Sequence, residues 1–132
     1  MIGLDTNILL RVFVTEGGSD EAKARSFLAA HSAPGAFFVT TIVLVELVWT
    51  LRSRYRLSRS AVADALRALL DSDDFVVEHR AFTEEALALH NSRNSDFADA
   101  MIARSCLAAG CARVVTLDKP AAKSIPGVEL LA

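Results

Sequence analysis

Short apolar runs alternate along this chain with segments whose apolar residues recur at helical spacing. Met1-Ile2-Gly3-Leu4 predicts a buried strand, after which Thr6 is placed to cap a helix through about Phe13. Gly17-Gly18-Ser19 predicts a loop, and Ser19 or Asp20 starts a helix with Ala22, Phe27, Leu28 and Ala30 as its apolar positions, broken by Ala33-Pro34-Gly35. Ala36 to Thr40 predicts a second buried strand, and Thr41 opens a strongly apolar helix from about Ile42 to Tyr55. Ser58 caps the next helix, whose Val62, Ala65, Leu66, Leu69 and Leu70 fall on one face. Phe75 to Glu78 predicts a third strand. Thr83 begins a helix ending near His90, and Ser95 caps another that carries Asp96 and Asp99 and stops at Gly110. Arg113 to Thr116 predicts a fourth strand. Gly127 to Ala132 predicts a short fifth one, with Pro120 and Pro126 marking the intervening segment as a loop.

Strands alternating with helices define an α/β protein whose central parallel sheet, of four to five strands, is covered on both faces as a three-layer α/β/α sandwich. Ligands of such sheets gather at the carboxyl ends of the strands. Asp5 and Asp118 arrive there directly from apolar runs.

Composition narrows the class. With 132 residues, 52% hydrophobic and 23% charged, the chain is expected to form one packed domain over residues 1–132. Met1-Ile2-Gly3-Leu4-Asp5 has none of the features of a signal peptide, and no apolar run approaches the roughly 20 residues that span a bilayer, so a cytoplasmic protein with no membrane partner is expected. Cys106 and Cys111 lack zinc-site spacing and are expected to be small buried hydrophobes. His31, His79 and His90 are scattered and assigned to surface or loop positions. Phe27, Trp49 and Leu51 are expected in the core, with a partner groove as the alternative. A net charge of −2 argues mildly against a nucleic-acid partner, yet Arg52, Arg54, Arg56, Arg59 and Arg67 fall in one short stretch. At helical spacing, Arg52, Arg56 and Arg59 are candidates to share one side and guide a nucleic-acid backbone.

The acids carry the candidate chemistry. Two unit charges about 4 Å apart repel by roughly 4 kcal/mol at an effective dielectric near 20, so converging carboxylates require a counter-ion. Oxygen-only donors suit Mg²⁺ or Mn²⁺. Glu46 sits in a run that is apolar on every helical face, which predicts a buried charge in need of a partner. Asp96 and Asp99 share a helix face; Asp96 is as well suited to capping as to metal contact, whereas Asp99 enters a buried run where an idle carboxylate is costly. Thr6 and Asn7 beside Asp5, and Thr116 beside Asp118, are supporting candidates, with capping an equal reading for Thr6.

Gly3-Leu4-Asp5-Thr6-Asn7, Val45-Glu46-Leu47-Val48-Trp49, Asp96-Phe97-Ala98-Asp99-Ala100-Met101-Ile102-Ala103 and Thr116-Leu117-Asp118-Lys119, in this order, resemble the PIN-domain family, and more closely the VapC toxins of bacterial toxin–antitoxin pairs. The resemblance covers essentially the whole chain. It implies an endoribonuclease dependent on one or two Mg²⁺ or Mn²⁺ ions, homodimeric and inhibited by a small antitoxin. By that resemblance Asp5, Glu46 and Asp99 match the three core acids, Asp118 a more variable fourth, and Asp96 the extra acid of the Asp-Phe-Ala-Asp variant.

Two other classes compete. A phospho-acceptor module also has acids at strand ends, but its acceptor Asp closes a central strand, and the third strand here runs into Glu78-His79-Arg80. A non-catalytic interaction module of the same fold is expected to have lost acids that this chain keeps. A flap-type DNA nuclease needs insertions that 132 residues cannot hold.

Overall fold

In the computed structural model, which describes residues 1–131, the chain runs β1 (Ile2–Gly3), α1 (Thr6–Phe13), α2 (Ser19–His31), β2 (Phe37–Val39), α3 (Thr41–Ser53), α4 (Arg59–Asp71), β3 (Phe75–Val77), α5 (Arg80–Arg93), α6 (Phe97–Ala108), β4 (Val114–Thr116), α7 (Lys119–Ser124) and β5 (Val128–Leu130). The last residue of the predicted fifth strand, Ala132, lies outside the described residues. The chain divides into two compact units, Met1–Glu78 and the stretch from His79 onward.

Parallel strands cannot be joined by a tight turn, so each pairing needs a crossover, and the helices supply it. In the first unit the ladder order is β1-β2-β3, with Ile2 opposite Phe37, Phe37 opposite Phe75 and Val39 opposite Val77. Helices α1 and α2 make the first crossover and α3 and α4 the second. The apolar positions converge: Leu9, Leu10, Phe37, Val39, Leu44, Leu47, Leu51, Val62 and Leu66 are almost wholly buried. Helix α1 packs against α2 and α3, α3 against α4, and α4 against β3. In the second unit β4 and β5 pair in parallel, Val114 opposite Val128, with α7 as the connection. There α5 packs on α6, and α6 and α7 pack against β4. Every pairing among the described residues is parallel, as an α/β reading requires. No helix of the described residues is long and apolar enough to cross a membrane.

Several local expectations are corrected. Helix α5 begins at Arg80 and not at Thr83, after His79 in a left-handed conformation (φ 49°). Residues Lys119–Ser124, expected as loop, form α7, because Pro120 falls in the first turn, where its missing N–H costs nothing. Gly127 (φ 82°) then turns the chain into β5, and a Cβ there would meet Leu107 Cδ1 at 2.9 Å. Helix α3 does open at Thr41 but ends at Ser53 and not Tyr55, and Thr40 caps it, its hydroxyl accepting from the Val43 N–H at 3.2 Å. Cys106 is half-buried and Cys111 exposed, so the chain does not use both as core residues. His90 is buried, contrary to its surface assignment, while His31 and His79 are exposed. Of the three residues expected in the core, Leu51 is there, but Phe27 and Trp49 are 38% and 70% exposed.

One acid organises a loop. Glu21, almost fully buried, accepts hydrogen bonds from the N–H groups of Glu16 (2.6 Å) and Gly17 and pairs with Arg25 at 2.9 Å. Glu16 in turn meets Arg11 at 3.0 Å and the Tyr55 hydroxyl, tying the α1–α2 loop to both α1 and the end of α3. The Arg25 guanidinium, followed by these backbone donors, holds the Glu21 carboxyl below its ordinary 4.5. A carboxyl with a lowered folded-state pKa stabilises the fold above 4.5, and that contribution is lost as pH falls through the folded value. Glu21→Gln is therefore expected to lower the melting temperature at neutral pH, with the gap to wild type closing on acidification below 4.5; thermal unfolding monitored by circular dichroism across pH measures both.

Candidate functional site

A strand that runs straight into a helix leaves the helix's first N–H groups without acceptors, and a short carboxylate side chain at the junction satisfies one of them. The chain caps three helices with aspartate, two of them directly after strands. Asp5 caps α1, its Oδ1 accepting from the Thr6 N–H at 2.8 Å. Asp96 caps α6 through the Asp99 N–H at 2.9 Å. Asp118 caps α7 through the Ala121 N–H at 3.0 Å. These bonds correct the assignment of Thr6 and Ser95 as caps. Each engages one carboxylate oxygen through the backbone, which fixes the side chain and leaves its second oxygen to meet a ligand. All three aspartates are exposed.

In the first unit Thr6 joins two of the acids. Its N–H holds Asp5, and its buried hydroxyl donates to Glu46 Oε2 at 3.3 Å. Asp5 at the amino end of α1 and Glu46 in the middle of α3 thus meet on one residue. Glu46 itself is exposed, which overturns the expectation of a buried charge. Helix α3 buries Val43, Leu44, Leu47, Val48 and Leu51 against α1 and α4, and the opposite stripe of Ile42, Glu46, Trp49 and Ser53 faces outward, although most of its neighbours are apolar. Asn7, also exposed, borders a groove of about 590 Å³ between α1 and α2, with Arg11, Asp20 and Lys23.

In the second unit Asp99 is half-buried in the first turn of α6 and borders a pocket of about 210 Å³ whose lining is otherwise mostly apolar, with Ile102, Val115 and Thr116. Burial, then the negative charge of Asp96, then that of Asp118, raise its pKa above the ordinary 3.8. Both charged side chains that shift Asp99 are therefore acids. Thr116 serves Asp118: its hydroxyl oxygen accepts from the Asp118 N–H at 3.0 Å and shapes the turn that delivers the carboxylate.

The arginines do not share a face. Helix α3 ends at Ser53, so Arg52 lies in its last turn, Arg56 in a left-handed turn (φ 53°) beyond it, and Arg59 at the start of α4. Arg52 is exposed, with Nη1 donating to the Leu57 carbonyl at 2.8 Å. Arg54 and Arg67 are engaged by Glu16 and Asp71.

Among the described residues no group of three acid, histidine or cysteine side chains is placed to hold a metal ion. The structure brings Asp5 and Glu46 together in the first unit and sets Asp96, Asp99 and Asp118 to act on one another electrostatically in the second. The donor chemistry suits a hard divalent cation: carboxylate oxygens only, one of them raised in pKa by like charges that a cation would neutralise. Sequence pattern named all five acids as candidates; what it missed is the exposure of Trp49, three positions beyond Glu46.

Comparison with known proteins adds an independent line. The PIN domain family model matches residues 2–123, through both units. The chain is also 27% identical over 116 residues to the VapC ribonuclease of Aquifex aeolicus (strain VF5), covering 88% of this chain and 86% of that protein.

Two stability measurements separate the structural and electrostatic roles of the acids. Asp96→Ala should lose about 1 kcal/mol through the α6 cap, whereas Asp96→Asn, which still caps, should lose little. Asp99 has the opposite sign: its raised folded-state pKa makes the fold less stable as pH climbs from 3.8 through the raised value. Asp99→Asn is expected to melt higher than wild type at neutral pH in the absence of divalent ions, with the difference vanishing at low pH, and added Mg²⁺ should raise the melting temperature of wild type more than that of the variant.

Proposed function

Because the chain belongs to the PIN-domain family, we propose that it is a divalent-metal-dependent endoribonuclease that hydrolyses RNA phosphodiester bonds, the toxin of a type II toxin–antitoxin pair. The metal requirement is supported by the donor set itself, carboxylate oxygens only, three of them on side chains fixed by helix N–H groups, and by Asp99, whose pKa is raised by burial and then by the charges of Asp96 and Asp118. RNA as substrate is supported by the likeness to the VapC ribonuclease, and pairing with a small antitoxin is what the motif resemblance to VapC toxins implies. The two units are read as halves of one nuclease domain over residues 1–132, since the family match runs through both. A homodimer in the cytoplasm belongs to the same reading.

Asp5, Glu46, Asp99 and Asp118 are the proposed catalytic acids, with Asp96 as a further metal ligand, and Mg²⁺ or Mn²⁺ as one or two ions. When bound, the cation supplies a water of lowered pKa and positive charge for the phosphorane and the leaving oxygen. The chain's own residues do the rest. Asp5, Asp96 and Asp118 hold fixed orientations because helix N–H groups grip one oxygen of each. Thr6 keeps the Glu46 carboxylate turned towards the amino end of α1. Asn7 stands exposed beside Asp5 to meet substrate or water, and Thr116 sets the Asp118 turn. Ionised carboxylates repel a phosphodiester, so a bound cation would be needed to draw the scissile phosphate in among them. Arg52, Arg56 and Arg59 are proposed to contact the RNA backbone from separate positions around the α3–α4 turn.

Purified protein is expected to cleave total cellular RNA with Mg²⁺ or Mn²⁺, to lose that activity in EDTA, and to lose at least about a hundredfold in kcat on Asp5→Asn, Glu46→Gln or Asp99→Asn, in line with losing a Lewis-acid site worth several kcal/mol. Mapped 5′ ends identify the target in the same assay. Equal cleavage by wild type and Asp5→Asn, with or without EDTA, sinks the proposal.

A further inference from the structure

The chain's single tryptophan, Trp49, is 70% exposed on α3, one turn beyond Glu46. Resting on the ribonuclease reading above, we propose that the Trp49 indole is the platform on which a base of single-stranded RNA stacks next to the scissile phosphate.

Position carries the argument. Isolated surface hydrophobes are ordinary, but Trp49 is not isolated from chemistry. Residues three apart on a helix are neighbours, with roughly 5–6 Å between their Cβ atoms, so the ring stands beside the carboxylate that Thr6 links to Asp5. The other neighbour of Glu46 on this stripe, Ile42, is 71% exposed. The second unit repeats the pairing of acid and open apolar surface: Ile102, three after Asp99, is 56% exposed, and Leu117, directly before Asp118, is 79% exposed.

Charge selects the occupant. Glu46, Trp49 and Arg52 follow at three-residue intervals along α3, presenting in turn a cation-binding oxygen, an apolar π-face and a guanidinium anchored by the Leu57 carbonyl at 2.8 Å. That order matches the groups of a single strand read along its backbone: a phosphate needing a cation, a base needing a stacking partner, and a second phosphate needing a positive charge. Single-stranded RNA is recognised largely by such stacking, in which any base can take part. A wholly apolar protein segment would desolvate the Glu46 and Arg52 charges while offering neither a cation nor an anion to offset them.

Because Trp49 is the only tryptophan, its fluorescence reports this one position. In EDTA, where no turnover occurs, a short single-stranded oligoadenylate is expected to quench it, and inorganic polyphosphate of matched charge is not. With Mg²⁺, Trp49→Ala should raise KM for a single-stranded RNA by about tenfold with a smaller change in kcat, and Trp49→Phe should recover most of the loss, with circular dichroism checking that both variants fold. No quench by oligoadenylate, or equal quench by polyphosphate, together with a wild-type KM for Trp49→Ala, overturns the proposal and assigns the stripe to a protein surface. If wild-type protein cleaves no RNA, the ribonuclease reading fails, while the titration in EDTA still decides the stacking.

Discussion

The N–H groups that open a helix must find acceptors, and in this chain aspartates at loop–helix junctions provide them. Parallel strands deliver their carboxyl ends to the junctions at which helices begin, so any acid chosen for capping also stands where an α/β protein gathers its ligands. Asp5 and Asp118 satisfy both demands, whereas Asp96, which follows helix α5, meets only the first as the cap of α6. Capping and ligand binding are therefore not rival roles for these residues. The backbone grip on one oxygen is what makes the other a fixed donor, and the supporting threonines extend the same economy: Thr6 holds Asp5 by its N–H and Glu46 by its hydroxyl.

Against this favourable local chemistry stands like-charge repulsion. Asp99 lies in a first turn, where a carboxylate is ordinarily welcome, yet burial and its two acidic neighbours outweigh that benefit and raise its pKa. A fold selected for stability alone would place an apolar or basic residue there. Under the proposed function, a cation would relieve this repulsion, and Asp99 is a better candidate for that role than the buried Glu46 expected from its apolar flanks. Glu46 turned out exposed because α3 packs along one side only. The same one-sided packing leaves Ile42 and Trp49 outside, so the open stripe of α3 combines a carboxylate with apolar surface.

The sequence alone determined the fold class and named the candidate acids. Short apolar runs and period-3.6 patterns place all five strands and six of the seven helices, because burial acts locally on each segment, and the acids at Asp5, Glu46, Asp96, Asp99 and Asp118 are visible from their positions in or beside those segments. Helix α7 escaped because Pro120 reads equally as a loop residue or as a first-turn residue, and only the Asp118 cap decides between them. Tertiary structure alone decided which face of each element is covered. A helix apolar all round, such as α3, carries no signal saying which side its neighbours will take, so the exposure of Glu46 and Trp49, the burial of His90 and the link from Thr6 to Glu46 across forty residues follow only from packing.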